Sequence, residues 1–400
     1  MLVVTPTRKA AQVATAETGA AADSAAWLLH QHGFRWDANG RWGRVATDPG
    51  PGARLAPGDL LVVDEAGMLD QDSACALVAL ADEAGARLVL VGDRHQLPAV
   101  GRGGVLDLAC RYVPSRHLTL DGVRRFSDPR YAELSLRMRR GDAPGAVFDE
   151  LARRGEIQVH GSEVERLAVL AGEAERGEAV VADTREQVGK INGLVHDLRR
   201  ITGEVSDDVM TAKGERIGVG DVVATRQNDA TRGVANRETW TVTDVIRGDL
   251  IVVGAPGRRR LPHDYVADHV ELAYATTAHG IQGSTVATAH VLVGEHTSGS
   301  SAYVAMTRGR DHNIAHLVAE NLEDARNQWV AVFGRDRADL GPAHAAQRAA
   351  DDVERYGPNG APRYVGRARR RLTNDQRAVA RQEPQSRTTP TPARDPGIGL

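Results

Sequence analysis

Two short apolar runs, each ending in polar or glycine residues, constrain the fold of this chain more than any other feature. Residues 60–66 read LLVVDEA and residues 87–93 read RLVLVGD. Neither run alternates apolar with polar residues, and a helix-like stretch (71–85) separates them, which is typical of parallel strands covered on both faces. Strand–helix–strand units of this kind predict a doubly wound α/β fold with its ligand site at the carboxyl ends of the strands.

Composition narrows the class of protein without naming a function. The 400 residues allow two or three domains, and the net charge of −3 excludes a uniformly basic nucleic-acid-binding protein, so any such binding depends on local patches. Cys75 and Cys110 are too few for a disulfide framework, which fits a reducing cytoplasm. The longest apolar runs are far too short to cross a membrane. We therefore expect a cytoplasmic protein with no membrane partner.

The residue pattern, and with it the predicted secondary structure, changes along the chain. Residues 116–202 continue in α/β style, whereas residues 203–267 consist of short β-branched runs joined by turn residues, which predicts a small inserted β-barrel. Residues 268–330 return to apolar strands. The segment 331–400 is expected to be helical and then disordered, because residues 357–400 hold nine arginines against three acidic residues.

Asp64 and Glu65 directly follow the first apolar run. A carboxylate at the end of a buried parallel strand can hold Mg²⁺, usually through water, and its neighbour can orient or deprotonate an attacking water. The alternative is that Asp64 simply caps the helix that follows.

Asp93 and Gln96 follow the second run in the same way, within GDRHQLPAV. A neutral amide at this position can donate to a phosphate oxygen and lose that bond after hydrolysis, so it can report the state of a nucleotide. The alternative is an ordinary polar turn with an exposed glutamine.

Six motifs, which follow one another along the chain in the order of the family, resemble those of superfamily 1 helicases of the RecD-like branch. DEAGM and GDRHQLPAV resemble motifs II and III, and TPTRKAA resembles motif Ia. LTLDGVRRF, YATTAHGIQGST and YVAMTRGRDHN resemble motifs IV, V and VI. Within the branch the chain is most similar to the helicase half of conjugative relaxases of the TrwC/TraA type, over roughly residues 1–320.

The resemblance implies two RecA-like parallel-sheet domains. Residues 1–115 correspond to the first domain, residues 116–202 and 268–330 to the second, and residues 203–267 to an inserted SH3-like barrel. It implies ATP and Mg²⁺ as cofactors and a catalytic group that comprises Glu65, Gln96, Arg124 and Arg308. The nucleotide contacts would be Asp64, which also holds the metal, with Asp93, Gln282, Gly283 and Arg310. Either Arg124 or its neighbour Arg125, and either Arg308 or Arg310, would be the arginine that reaches the γ-phosphate.

The resemblance also implies contacts to single-stranded DNA from Thr5, Thr7, Thr277 and His279. Hydroxyls and cationic groups at loop ends bind phosphates without reading the bases. The alternative is that the threonines cap helices. Gly280 departs from the family pattern, in which a lysine is common. Trp240 is either a stacking platform or a core residue.

A phosphate-binding loop of the form G-x-x-x-x-G-K-[ST] is not found in the sequence. The three lysines, Lys9, Lys190 and Lys213, all lie outside such a pattern. In the family this loop precedes motif Ia, so we expect the first domain to be truncated and to expose a sheet edge. The chain would then be a fragment with a missing amino-terminal relaxase and phosphate-loop segment, half of a split protein, or a remnant.

The function predicted from these observations is the carboxyl-terminal part of an ATP-dependent single-strand DNA translocase or helicase, inactive alone. The alternative is a non-catalytic DNA-binding or assembly module. A RecA-like ATPase acting on something other than DNA is disfavoured by the resemblance of motifs Ia and V.

Overall fold

Two parallel β-sheets with flanking helices form the framework of the protein, and an antiparallel segment is inserted in the second. The computed structural model describes residues 1–36, 42–99, 101–113, 116–120, 122–211, 214–229 and 231–335. Residues 1–341 form one compact unit. The predicted disordered tail lies outside the described residues beyond position 335.

The first lobe is built on a four-stranded parallel sheet with strand order β2-β1-β5-β6. A separate pair of short antiparallel strands, β3 and β4, comes between α2 and β5 along the chain. In chain order the elements are β1 (Leu2–Thr5), α1 (Arg8–Thr18), β2 (Ala22–Ser24), α2 (Ala25–Gln31), β3 (Phe34–Trp36), β4 (Trp42–Arg44), β5 (Leu60–Val63), α3 (Gln71–Ala84), β6 (Arg87–Leu90) and α4 (Val105–Tyr112).

The two apolar runs that opened the sequence analysis are neighbouring parallel strands, as predicted. Helix α3 connects β5 to β6; it begins where the Asp70 carboxylate accepts from Ser73 N at 2.8 Å and ends at Gly85, whose φ is 64°. The expectation that both faces are covered is wrong for β6. Val89 of β6 and Val91, which directly follows the strand, are each 40% exposed. Among the described residues no strand pairs with the outer edge of β6, so apolar surface and backbone groups are open there.

The second lobe is built on a five-stranded parallel sheet with strand order β16-β8-β17-β18-β7. The α/β class with parallel sheets is thus confirmed. Its elements are α5 (Pro129–Arg140), α6 (Pro144–Arg153), β7 (Ile157–His160), α7 (Glu163–Glu175), β8 (Ala179–Ala182), α8 (Arg185–Ile201), and, after the inserted segment, β16 (Ala275–Thr277), α10 (Ala278–Ile281), β17 (Val286–Leu292), α11 (Gly299–Ala305), β18 (Gly309–Val318) and α12 (Leu322–Gly334).

The core of this lobe contains two notable groups. Trp329 of α12 is fully buried against Phe148 and Phe333, with ring centroids 6.2 and 5.1 Å away. Across three neighbouring strands, His316 lies 3.0 Å from a ring nitrogen of His160 on one side and 3.0 Å from one of His290 on the other. All three histidines are buried, so they form a chain of hydrogen-bonded rings inside the sheet.

The inserted segment consists of two antiparallel sheets, and its predicted closure into a barrel stays a prediction. A five-stranded sheet of order β14-β13-β12-β11-β15 and a two-stranded sheet β10-β9 share one apolar core. Its elements are β9 (Ser206–Met210), β10 (Arg216–Val219), β11 (Val222–Thr225), β12 (Thr239–Ile246), β13 (Asp249–Gly254), β14 (Gly257–Leu261), α9 (His263–His269) and β15 (Val270–Leu272). Trp240 is 1% exposed and is therefore a core residue.

Candidate functional site

The turn after β5 holds its two acidic residues in a fixed backbone arrangement. Asp64 N donates to Val4 O at 2.9 Å, and Glu65 N donates to the Asp64 carboxylate at 2.9 Å. Glu65 has a φ of 53° and ψ of 34°, a left-handed conformation that is uncommon for a residue with a side chain. Asp70, not Asp64, caps α3. The capping alternative for Asp64 is therefore wrong with respect to that helix.

Gly92 brings the turn after β6 against the turn after β5. A Cβ on this residue would lie 2.9 Å from Ala66 N, closer than side chains tolerate. Ala66 N also donates to Val91 O at 2.9 Å. The two strand ends therefore form one packed surface, from which Gln96 projects toward the second lobe.

Gln282 joins these residues across the interface between the lobes. Its side-chain nitrogen donates to Glu65 Oε2 at 3.3 Å and to Gln96 Oε1 at 3.1 Å. Gln282 and Gly283 form a turn closed by Ser284 N donating to Ile281 O, with Gly283 at a φ of 82°, as a type II turn requires. The Gln282 Oε1 atom is buried without a partner in the described part of the chain.

Two arginines of the second lobe complete this group, which we call the Glu65 cluster: Glu65, Gln96, Gln282, Arg308 and Arg125. Arg308 is 1% exposed and donates to Val304 O at 2.8 Å and to Thr307 Oγ1 at 3.1 Å. Arg125 donates to Thr307 O at 2.8 Å. Both interact electrostatically with Glu65.

The neighbours of these two arginines are placed differently. Arg124 is exposed, and Arg310 is exposed and paired with Asp311 at 3.1 Å. The structure therefore favours Arg125 over Arg124 and Arg308 over Arg310 as the residues that face a bound phosphate. The choice within each pair, left open by the sequence, stays a prediction.

The electrostatics of the Glu65 cluster suit an added anion. Burial and the neighbouring Asp64 raise the pKa of Glu65, while the Gln282 hydrogen bond, Arg308 and Arg125 oppose that rise. Burial and Arg125 lower the pKa of Arg308 to about 9, so it remains charged at neutral pH. Two neighbouring guanidinium groups near one carboxylate can bind the oxygens of a terminal phosphate.

Asp93, predicted to contact the nucleotide, is engaged by the second lobe instead. Its carboxylate accepts from Arg139 Nε at 3.0 Å and from the Tyr303 hydroxyl at 3.1 Å. These bonds tie the turn after β6 to helices α5 and α11. The structure thus gives Asp93 a contact between lobes, and its predicted nucleotide contact stays a prediction.

The four residues predicted to contact DNA are not equivalent. Thr5 is fully buried and its hydroxyl donates to Thr7 O at 2.6 Å. Thr7 and Thr277 each cap a helix, accepting from Ala10 N and Gly280 N, both at 3.2 Å. The capping alternative is therefore correct for these two side chains, although capping leaves their other contacts open.

Thr7 and His279 line one cleft between the lobes, together with Glu65, Gln282 and two cationic residues that the sequence did not single out. These are Lys9 of α1 and Arg237, which precedes β12. No motif pointed to Arg237, because its position depends on how the inserted segment folds back on the second lobe.

No group of three or more histidine, cysteine or acidic residues is arranged to hold a metal within the described residues. That finding is compatible with the predicted role of Asp64, since Mg²⁺ keeps several waters and needs only one or two carboxylates. None of the described helices has the length and apolar character to span a bilayer.

Comparison with known proteins finds similarity to conjugal transfer proteins and to a DNA helicase. A family model described as an AAA domain matches residues 1–162. The probable conjugal transfer protein TraA of Sinorhizobium fredii is 27% identical over 267 residues, 63% of this chain and 24% of that protein. The ATP-dependent RecD2 DNA helicase of Deinococcus radiodurans is 29% identical over 296 residues, 71% of this chain and 40% of that helicase. The chain thus spans less than half the length of these relatives.

Solved structures show the same fold. The crystal structure of Bacteroides Pif1 bound to ssDNA has a TM-score of 0.50 and 15% sequence identity, covering 89% of this chain and 94% of that one. The fold and the sequence matches agree with the resemblance to superfamily 1 helicases of the RecD-like branch. More particularly, the chain is related both to the RecD2 helicase and to conjugal transfer proteins, which confirms the resemblance inferred from the motifs.

Proposed function

We propose that the chain is the motor part of an ATP-dependent translocase or helicase that acts on single-stranded DNA, as part of a conjugative relaxase. One observation supports this most strongly. Side chains from separate parts of both lobes meet in the Glu65 cluster, with Gln282 hydrogen-bonded to Glu65 and Gln96 at once. A site shared between two parallel-sheet lobes lets nucleotide binding change their relative position.

Each residue has a role that suits its chemistry. Glu65 would accept a proton from the attacking water, and Asp64 would hold Mg²⁺ through water. Arg308 and Arg125 would bind oxygens of the terminal phosphate, and Gln96 would sense its presence. The buried, unpartnered Gln282 Oε1 leaves an acceptor for that water or for a Mg²⁺-bound water.

The phosphate loop is the part that this proposal needs and the sequence does not contain. We therefore propose that the chain alone hydrolyses ATP negligibly, with or without DNA, because the loop supplies the main donors to the triphosphate. The open edge of β6 offers a place for an additional strand, which makes a segment supplied from outside these residues a suitable partner.

The test is ATP hydrolysis by the chain alone and by the chain fused to a strand, G-x-x-x-x-G-K-T loop and helix from a superfamily 1 helicase. We expect DNA-stimulated turnover only in the fusion. In the fusion, Arg308→Ala should lower turnover by about 10³–10⁵-fold, whereas the matched change Arg310→Ala should have little effect.

Two outcomes would contradict the proposal. Robust turnover by the chain alone would mean that the phosphate site lies elsewhere. A fusion that binds DNA equally well with and without nucleotide, and is indifferent to Glu65→Gln, would instead support the non-catalytic DNA-binding module.

A further inference from the structure

Asp93 is held by both lobes at once. Its backbone packs in the first lobe, where Gly67 of the turn after β5 approaches so closely that a Cβ there would lie 2.8 Å from Asp93 O. Its carboxylate contacts the second lobe: Arg139 Nε lies 3.0 Å from both oxygens, and the Tyr303 hydroxyl donates to one at 3.1 Å. His95 N donates to the same carboxylate at 2.9 Å from within the turn after β6. One side chain therefore joins that turn to helices α5 and α11 of the other lobe.

The surroundings of this carboxylate make its contacts stronger than those of an ordinary surface pair. Exposed ion pairs contribute little, because water and salt screen them. The side chains of Asp93 and Arg139 are only 15% and 27% exposed, and their hydrogen bonds are charge-assisted. Burial and the charge of Asp93 raise the pKa of Tyr303, so its hydroxyl remains a donor at neutral pH.

An apolar contact lies beside the charged one. Leu97 belongs to the segment after β6, yet it is 2% exposed and is part of the apolar core of the second lobe, together with Tyr131, Leu134 and Met138 of α5. Arg139 lies on the same helix. Separating the lobes at this point therefore breaks an ion pair and exposes an apolar side chain at the same time.

We propose that Asp93 is a positioning residue that holds the two lobes together through protein contacts alone. Asp93, Arg139, Tyr303 and Leu97 form what we call the Asp93 latch. All four belong to the chain, so the latch needs no ligand to close. It sets the ratio of closed to open lobes, and a ligand between the lobes can shift that ratio only by the difference in its affinity for the two states.

The latch also fixes two candidate catalytic residues relative to each other. In the turn after β6, Gln96 N donates to Asp93 O at 3.2 Å. In the second lobe, the Thr307 hydroxyl donates to Tyr303 O at 2.8 Å and accepts from Arg308 at 3.1 Å. Short hydrogen-bonded paths thus run from the latch to Gln96 on one side and to Arg308 on the other. Without the latch these two side chains separate, although neither has been changed.

The test is double electron–electron resonance on the full chain, which measures the distance between one spin label on each lobe. Cys75, exposed on α3, carries the first label in a Cys110→Ser background. Glu323→Cys, at an exposed position of α12, carries the second. With the latch intact we expect one narrow distance, and with the latch broken we expect a second, longer one.

Two variants break the latch from opposite sides. Asp93→Asn keeps an oxygen for its own turn but loses the charge that Arg139 binds, so the ratio of closed to open lobes should fall by about tenfold or more. Arg139→Gln combined with Tyr303→Phe should act in the same way without altering the turn, and it decides if Asp93→Asn does not fold. Asp72→Asn is the matched control, since its partner Arg102 belongs to the same lobe.

A second measurement separates the latch from a local charge effect. Removing the negative charge of Asp93 would by itself lower the pKa of a nearby carboxyl group. Opening of the lobes does the reverse at Glu65, because it removes the Gln282 hydrogen bond and the two arginines of the Glu65 cluster, all of which lower that pKa. Carbon-13 NMR titration of Glu65 in Asp93→Asn should therefore show a raised pKa.

A single unchanged distance in both latch variants would overturn the inference, and so would a lowered Glu65 pKa in Asp93→Asn. An equally long second distance in Asp72→Asn would also overturn it, since the opening would then reflect general loosening of the fold. Neither measurement involves nucleotide or DNA. The result is therefore independent of the function proposed above.

Discussion

Gln282 donates a hydrogen bond to Glu65 across 217 positions of sequence, at a distance of 3.3 Å. The acid of the first lobe is thus positioned and electrostatically stabilised by a turn of the second. Any motion that separates the lobes breaks this bond and also removes Arg308 and Arg125 from Glu65, and all three of these interactions lower its pKa. Lobe closure and the protonation state of the candidate base are therefore coupled.

Replacing Gln282 tests this coupling. Gln282→Ala removes a hydrogen bond that lowers the pKa of Glu65, so that pKa should rise. Carbon-13 NMR titration of the Glu65 carboxyl measures the change in the chain itself. Gln71→Ala is the control, since its amide donates to Gly103 O. An unchanged Glu65 titration would mean that the bond does not persist in solution.

Arg124 and Arg125 provide a matched pair for the catalytic arginine of motif IV. In the loop-supplied fusion we expect Arg125→Ala to abolish most ATP turnover, because Arg125 lies beside Arg308 and interacts with Glu65. Arg124→Ala, at an exposed position, should leave turnover nearly unchanged. The reverse result would restore Arg124 to the role that the family resemblance implies.

The histidine chain predicts a loss of stability in mild acid. Burial and the neighbouring His290, His160 and Arg166 lower the pKa of His316 to about 3. The unfolded chain has the ordinary pKa near 6.5, so it binds the proton first and folding becomes less favourable as pH falls from about 6.5 toward 3. At pH 5 this one group should cost about 2 kcal/mol relative to pH 7.

Urea unfolding at pH 7 and pH 5 measures that change. Because other groups also titrate, the informative quantity is the difference between variants. His316→Asn should show a smaller loss than the wild type, and His296→Asn, at an exposed site, should match the wild type. Equal pH dependence in all three proteins would exclude His316 as the source.

We expect Trp329 to contribute strongly to the stability of the second lobe. It is fully buried, so Trp329→Ala should cost about 3–5 kcal/mol in the free energy of unfolding. Its indole nitrogen has no hydrogen-bond partner among the described residues. Trp329→Phe should therefore cost distinctly less, because it also removes an unsatisfied donor. Chemical denaturation measures both, and an equal loss in the two variants would contradict this prediction, since the retained phenyl ring would then contribute nothing to stability.

The secondary-structure elements that depend on local residue patterns, and the residues at strand ends, could be predicted from the sequence. β5, α3 and β6 follow from apolar runs and caps, and Glu65 and Gln96 meet because carboxyl ends of parallel strands share an edge. Motif order then placed Arg308 and Gln282 at the same interface. Arg125 and Arg237 could not be chosen this way, because side-chain direction and the docking of the inserted segment distinguish them from other arginines in an arginine-rich chain.

Because of the left-handed backbone at Glu65, selection for stability and selection for catalytic turnover favour different residues at this position. Glycine adopts this conformation without strain, so Glu65→Gly would relax the turn while deleting the acid. A library of variants enriched only for heat resistance should consequently drift toward glycine at position 65. A library enriched for turnover should retain glutamate at position 65 despite the lower stability of the folded protein.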